Sequence, residues 1–133
     1  MRYLLDTNVV IALLSGRSPG IEKRLGGCDP QDVAVSAITA FELYFGAYKS
    51  AKTAFNLETL RQLFSDLQIL NIDGPDGRAA GEIRASLQRL GTPIGPYDVL
   101  IAGQAKARGL TVVTHNTQEF ERVEGLAVQD WTI

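Results

Sequence analysis

Short apolar runs alternate with longer segments of helical pattern along the whole chain, and this alternation restricts its fold more than any other feature. The runs at residues 3–5, 33–36, 68–72, 110–114 and 127–129 read as strands. Between them lie helical segments at residues 9–14 and at 21–25, the latter closed by Gly26-Gly27. Thr39 is the expected N-cap of a further helix through residue 48, which puts Glu42 in its first turn. Residues 54–67 carry Phe55, Leu60, Leu63, Phe64 and Leu67 near helical period, and after turn residues at 73–77 the clearest apolar stripe is Ala79, Ala80, Ile83, Leu87 and Leu90. Pro96 stands near the start of a last helix over residues 97–108, and Gly109 closes it. Strands alternating with helices predict an α/β fold: one domain over residues 1–133, with a central parallel sheet flanked by helices on both faces.

At 133 residues the chain buries one good core and is too short for two ordinary domains. No uncharged apolar run approaches the roughly 20 residues that a membrane span requires. Asp6 interrupts the apolar start, so no signal peptide is expected and the cytoplasm is the expected location. The lone Cys28 excludes an internal disulfide, and one cysteine with one histidine makes no structural zinc site. A net charge of −2 gives no global signature of polyanion binding, so any nucleic-acid contact must come from local patches and bound metal.

Chemistry is signalled by acids that stand alone. Asp6 is the only charge from Tyr3 to Gly16, Glu42 the only one from Val33 to Tyr48, and Asp98 the only one from Leu90 to Ala105. Glu119 directly follows an uncharged stretch at residues 109–118. Each adjoins a strand or opens a helix, and in a parallel α/β sheet ligands bind outside the carboxyl ends of the strands. Like charges at the rim of a core repel unless a cation sits among them. No lysine or arginine falls inside these apolar windows, so a hard divalent ion, Mg²⁺ or Mn²⁺, is the better partner. Such an ion activates water and stabilises charge on phosphate oxygens, which suits phosphodiester hydrolysis. Thr7, Asn8 and Thr114 are expected hydrogen-bond partners of the acids, with ordinary capping as the competing role.

Each acid also has an ordinary explanation. Asp6 can cap a helix beginning at Thr7, Glu42 and Asp98 can complement helix dipoles, and Glu119 can belong to a solvated acidic face with Glu121 and Glu124. One shared ion explains all four together, whereas the separate explanations must coincide. A strand-end aspartate also serves as nucleophile or phosphoacceptor in phosphatases and phosphotransfer domains of the haloacid-dehalogenase or receiver type. The dehalogenase type needs a second aspartate two positions on, where this chain has Asn8. Paired-histidine ribonuclease chemistry is excluded, because His115 is the only histidine.

Four segments then carry a resemblance. Leu4-Leu5-Asp6-Thr7-Asn8, Ser36-Ala37-Ile38-Thr39-Ala40-Phe41-Glu42-Leu43, Ile94-Gly95-Pro96-Tyr97-Asp98-Val99-Leu100-Ile101-Ala102 and Val113-Thr114-His115-Asn116-Thr117-Gln118-Glu119-Phe120 follow one another at whole-domain spacing. In that order they resemble the motifs of PIN-domain ribonucleases, and more narrowly those of the VapC toxins of bacterial VapBC toxin–antitoxin modules. The resemblance implies a Mg²⁺- or Mn²⁺-dependent endoribonuclease with Asp6, Glu42 and Asp98 in its acidic site. One position departs from the pattern: many PIN domains carry an aspartate just after the last core strand, where this chain has Asn116. An amide is a neutral ligand or hydrogen-bond partner, which leaves Glu119 as the candidate to complete a second metal site. Likeness to enteric-type VapC proteins implies cleavage of tRNA in the anticodon loop of initiator tRNA. It also implies a homodimer and a cognate VapB-type antitoxin that covers the acidic groove with a basic side chain, forms a larger hetero-oligomer and binds operator DNA. A PIN-like RNA-binding module without activity is the remaining alternative, and Asn116 is its best argument.

Arg17, Lys23, Arg24, Lys49 and Lys52 follow the Asp6 and Glu42 units, where they either flank the centre and hold RNA phosphates or are simply solvated. Tyr97, beside Asp98, either stacks on a splayed base or packs in the core. Tyr44, Phe45, Tyr48 and Phe55 form either an interface or part of the core.

Overall fold

Strand β1 (Tyr3–Leu5) runs through the middle of a five-stranded sheet in the computed structural model, which describes residues 1–133. It is flanked by β2 (Val33–Ser36) and β4 (Thr111–Val113), with β3 (Gln68–Leu70) and β5 (Val128–Gln129) outside them, in the order β3-β2-β1-β4-β5. All pairings are parallel, and Leu5 lies level with both Val35 and Val113. The residues that follow those three, Asp6, Ser36 and Thr114, therefore lie together at the carboxyl edge of the sheet.

The two faces separate by the period-2 alternation of strand side chains. Leu5, Val35 and Val113 pack with Val9 and Val10 of α1 (Thr7–Ser15), Ile21 of α2 (Pro19–Gly26), Leu43 of α3 (Ala37–Lys49) and Leu60 of α4 (Thr53–Asp66). Leu4, Ala34 and Val112 pack with Ile83 and Leu87 of α5 (Gly74–Arg89), Ile101 and Ala105 of α6 (Pro96–Arg108) and Phe120 of α7 (Thr117–Phe120). Right-handed crossovers require this division. The chain steps from β1 to β2 to β3 in one direction, then returns past β1 to β4, so its later helices fall on the opposite face. That reversal creates a switch point between β1 and β4, where doubly wound sheets open a crevice.

Several expected boundaries move for identifiable reasons. Helix α3 begins at Ala37, because the Ser36 hydroxyl accepts from the Ile38 amide and supplies the cap in place of Thr39. Glu42 consequently sits in the second turn, beyond the reach of a simple dipole explanation. Residues 74–77 are helical, since Asp73 and Asp76 form a reciprocal capping box around the α5 terminus. Strand β3 stops at Leu70, and the Asn71 carbonyl beyond it accepts from Gln104 and Arg108. The apolar faces are narrower than their periodicity suggests: Leu60 is buried in α4 while Phe55 is 69% exposed, and Leu90, just past α5, is 70% exposed. Helices α5 and α6 nearly touch, since a β-carbon on Gly103 would lie 2.5 Å from that of Ala80. This close approach fixes the axis of the helix that carries Asp98. No helix is long and apolar enough to cross a membrane.

Candidate metal centre

Asp6 ends β1 and caps α1, so its carboxylate is fixed by both elements. Its Oδ1 accepts from the Thr7 amide at 2.8 Å and its Oδ2 from Thr114 Oγ1 at 2.9 Å. The Asp6 amide donates in turn to the Val113 carbonyl at 2.9 Å, which ties the residue to the end of β4. Glu42 reaches the same place from α3: the Thr7 hydroxyl donates to its Oε1 at 2.8 Å. Thr7 Oγ1 also lies 3.1 Å from Thr39 Oγ1. A hydroxyl has one proton, so Thr39 donates that second bond. On the other side, Thr114 Oγ1 accepts from the Asn116 amide at 2.9 Å, and Asn116 Nδ2 donates to Glu119 Oε2. Asp98, in the first turn of α6, lies within electrostatic reach of Glu119, Asp6 and Glu42. A β-carbon at Gly95 would stand 3.3 Å from Asp98 Oδ2, so glycine there leaves room for the carboxylate over the helix terminus.

The fold thus brings together all four acids singled out in the sequence, from β1, α3, α6 and α7, joined through Thr7, Thr114 and Asn116. Asn8 is the exception among the expected partners, because it points into solvent from the first turn of α1 and takes no part in the network. Thr39 enters instead. The signal for it was its position three residues before Glu42, on the same side of a helix.

The electrostatics are those of a centre short of positive charge. Burial raises the Asp6 pKa above the ordinary carboxylate range, against the lowering effect of its bonds from Thr114 and Thr7. Asp98 is pushed up to about 7 by burial first, then by interaction with the Glu119 side chain and by the charges of Asp6, Glu119 and Glu42. The ion pairs of the protein lie elsewhere, joining Arg108 to Asp73 and Asp76, Arg61 to Glu58, His115 to Asp130 and the N-terminus to Asp32. In this conformation Asp6, Glu42 and Glu119 accept from threonine and asparagine donors, and no three acids already converge as a ligand set. The donors are all hard oxygens, and no basic side chain competes. The residues present therefore suit a divalent cation of the Mg²⁺ type. They do not suit an aspartyl nucleophile of the dehalogenase or receiver type, because Asn8 stands where the second aspartate is needed and no lysine is paired with Asp6.

The flanking cations fall elsewhere. Arg17 lies past the far end of α1, and Lys49 and Lys52 lie at and beyond that of α3. Lys23 and Arg24 line a hollow with Arg2 and Asp32 at the opposite, amino edge of the sheet. Helices rise ~1.5 Å per residue, so the first three sit more than a full turn beyond their acids. His115 stands 73% exposed on the β4–α7 turn with its Nδ1 3.2 Å from Asp130.

A parallel α/β domain with a carboxylate cluster at its switch point is the architecture of a PIN domain, and the PIN domain family matches residues 3–126. The chain belongs to that family and, within it, to the VapC group. It is 38% identical over 132 residues to the tRNA(fMet)-specific endonuclease VapC of Shigella flexneri, covering 99% of each chain. It is 40% identical over 131 residues to the protein of that name from Salmonella typhimurium, covering 98% of each. The crystal structure of DNA-bound VapBC from Salmonella typhimurium superimposes with a TM-score of 0.93 at 40% identity, over 98% of both chains.

Proposed function

We propose that this chain is the toxin of a toxin–antitoxin pair, an endoribonuclease that hydrolyses RNA phosphodiester bonds with Mg²⁺ and accepts Mn²⁺ in its place. The single observation that carries the reading is the meeting of Asp6, Glu42, Asp98 and Glu119 at the sheet's switch point with no basic side chain paired to any of them. In this reading Asp6 and Asp98 are the principal ligands, and Glu42 and Glu119 complete the set. Bound there, the ion supplies an activated water and stabilises charge on the phosphoryl oxygens. Thr7 holds Glu42, Thr114 holds Asp6, and Asn116 turns Glu119 toward Asp98. These bonds hold the acids near one another, and the acids must still converge when the ion binds. Initiator tRNA is the proposed substrate, on the strength of the relatives named for that specificity.

The proposed partners are a VapB-type antitoxin and a second copy of the chain, acting in the cytoplasm. An apolar groove lined by Ile11, Leu14, Gly46, Phe55 and Leu60 opens on Glu42, which suits an amphipathic antitoxin segment that delivers a basic group to the acids. The related Salmonella complex was crystallised with DNA, and contact with operator DNA is assigned here to the antitoxin. Incubating purified, antitoxin-free protein with total bacterial RNA tests the reading. Discrete fragments are expected with Mg²⁺ and none with EDTA; intact RNA with every divalent metal rejects it.

A further inference from the structure

With Arg17, Lys23, Arg24, Lys49 and Lys52 away from the acids, the exposed side chains on the same helix turns as Glu42 and Asp98 include an aromatic pair. Phe41 precedes Glu42 on α3, and Tyr97 precedes Asp98 on α6. Their rings meet edge to face, with centroids 5.5 Å apart and planes at 66°. Phe41 is 51% exposed and Tyr97 45%, so the core does not absorb either ring. An edge-to-face pair leaves ring faces free for a further partner. Each ring is rigid, uncharged and adjacent in sequence to an acid, and the pair bridges the two helices that bring those acids together.

Such a surface suits a nucleobase. Phosphates approaching four carboxylates need a cation between, whereas a base stacks on an aromatic face at no electrostatic cost. We propose that Phe41 and Tyr97 form a stacking platform for an unpaired base next to the scissile phosphate of RNA. The inference rests on the RNA-cleaving reading above and assigns the substrate contact at that site. A second copy of the chain suits Phe45 and Tyr48, which continue the exposed side of α3 away from the acids. It suits Phe41 and Tyr97 less, because a protein surface seated there must also cover the turns of α3 and α6 that carry Glu42 and Asp98.

The test uses the Asp6→Asn protein, in which cleavage is blocked, titrated into an RNA hairpin whose unpaired loop carries 2-aminopurine. Binding is expected to change the loop fluorescence. Adding Phe41→Ala or Tyr97→Ala should weaken binding by about 5- to 100-fold and remove the fluorescence change, while Tyr97→Phe retains both, since stacking needs the ring and not the hydroxyl. Both rings are half exposed, so thermal unfolding of these variants should stay near that of the parent. Alanine variants that bind the hairpin as tightly as the parent overturn the platform. So does a loss of binding that tracks a halved mass in sedimentation, because a second copy is then the occupant. The two readings fail separately: RNA left intact by the wild-type protein rejects catalysis alone, and unaltered binding by the variants rejects the platform alone.

Discussion

Asp6 and Asp76 are buried to almost the same degree, 3% and 1% exposed, yet their chemistry runs in opposite directions. Asp76 belongs to the capping box of α5, and Arg108 closes on it with a fork: Nε donates to Oδ1 at 3.1 Å and Nη2 to Oδ2 at 2.8 Å. Nη2 also donates to the Asn71 carbonyl at 2.8 Å, so one guanidinium ties α6 to α5 and to the end of β3. The Arg108 hydrogen bonds hold the Asp76 carboxyl below its ordinary value despite burial. Asp6 has only neutral donors, and burial raises it. At similar surface exposure, what separates the two regions most clearly is the presence of a cation within the chain. The first cluster is complete when the chain folds. The second is complete only when something from outside joins it, which is the usual mark of a functional site.

The largest expected consequence lies at the incomplete cluster. Asp6→Asn should lower RNA cleavage by on the order of 10²–10³-fold or more, as loss of a group that stabilises developing charge does. The fold should persist, because an amide oxygen still accepts from the Thr7 amide. Single-turnover cleavage and circular dichroism on one preparation check both halves, and a variant that cleaves normally moves the centre elsewhere. Arg108→Ala breaks the complete cluster and should do the converse. Removing one partner of a forked pair around a buried carboxylate costs about 2–3 kcal/mol. The midpoint of urea unfolding should fall accordingly, while cleavage per folded molecule stays near wild type. A large loss of cleavage without loss of stability would erase the distinction between the regions.

How much of each region the sequence disclosed follows from the range of the interactions. The lone acids were legible because charge in an apolar window is visible locally, and the strands because short apolar runs between turn residues are local too. The Arg108–Asp76 clasp was not legible: it spans 32 residues, and its members look like an ordinary helix end and an ordinary turn. Thr39 was misread for a related reason. Ser36 and Thr39 both precede apolar helix residues, and only the parallel register of β1 with β2 shows that the chain turns at Ser36 and frees Thr39 to face Thr7. Asn8 failed in the opposite sense, since its neighbours are functional but the first turn of α1 aims it outward. Of the two roles open to the cations, solvation fits Arg17, Lys49 and Lys52, which helix length carries away from the acids.

Both regions should respond to pH, the metal centre through ligand binding and the Asp76 clasp through folding. Asp98 holds its proton to about 7 against an ordinary 3.8, and a divalent ion must displace that proton. Mn²⁺ binding should therefore weaken by up to about tenfold for each pH unit below 7 and level off above it. Titration calorimetry at several pH values reads the slope, which Asp98→Asn should flatten. Asp76, whose carboxyl is depressed, contributes stability that is fully present above its ordinary 3.8 and is lost as the pH falls through its lower folded value. That loss belongs to acid unfolding and should be missing from the Arg108→Ala protein.

The smallest effect is the most diagnostic of a centre that awaits a cation. A carboxyl whose folded pKa is raised disfavours the folded state once the pH exceeds its ordinary value, and the penalty grows until the folded group also ionises, here near 7. In EDTA at pH 8, Asp98→Asn should thus stabilise the protein, because its amide carries no charge. Asp98 is only partly buried, so solvent screening holds the gain to about 1 kcal/mol, a rise of roughly 3–5 °C in Tm. At pH 5 the folded aspartate is already protonated, and the difference should shrink. Excess Mn²⁺ should reverse the order, since the wild-type protein alone gains the full stabilisation that ligand binding confers on the native state. An Asp98→Asn protein less stable than wild type in EDTA would show that the four acids rest comfortably together without metal, and the contrast with Asp76 would then be one of geometry alone.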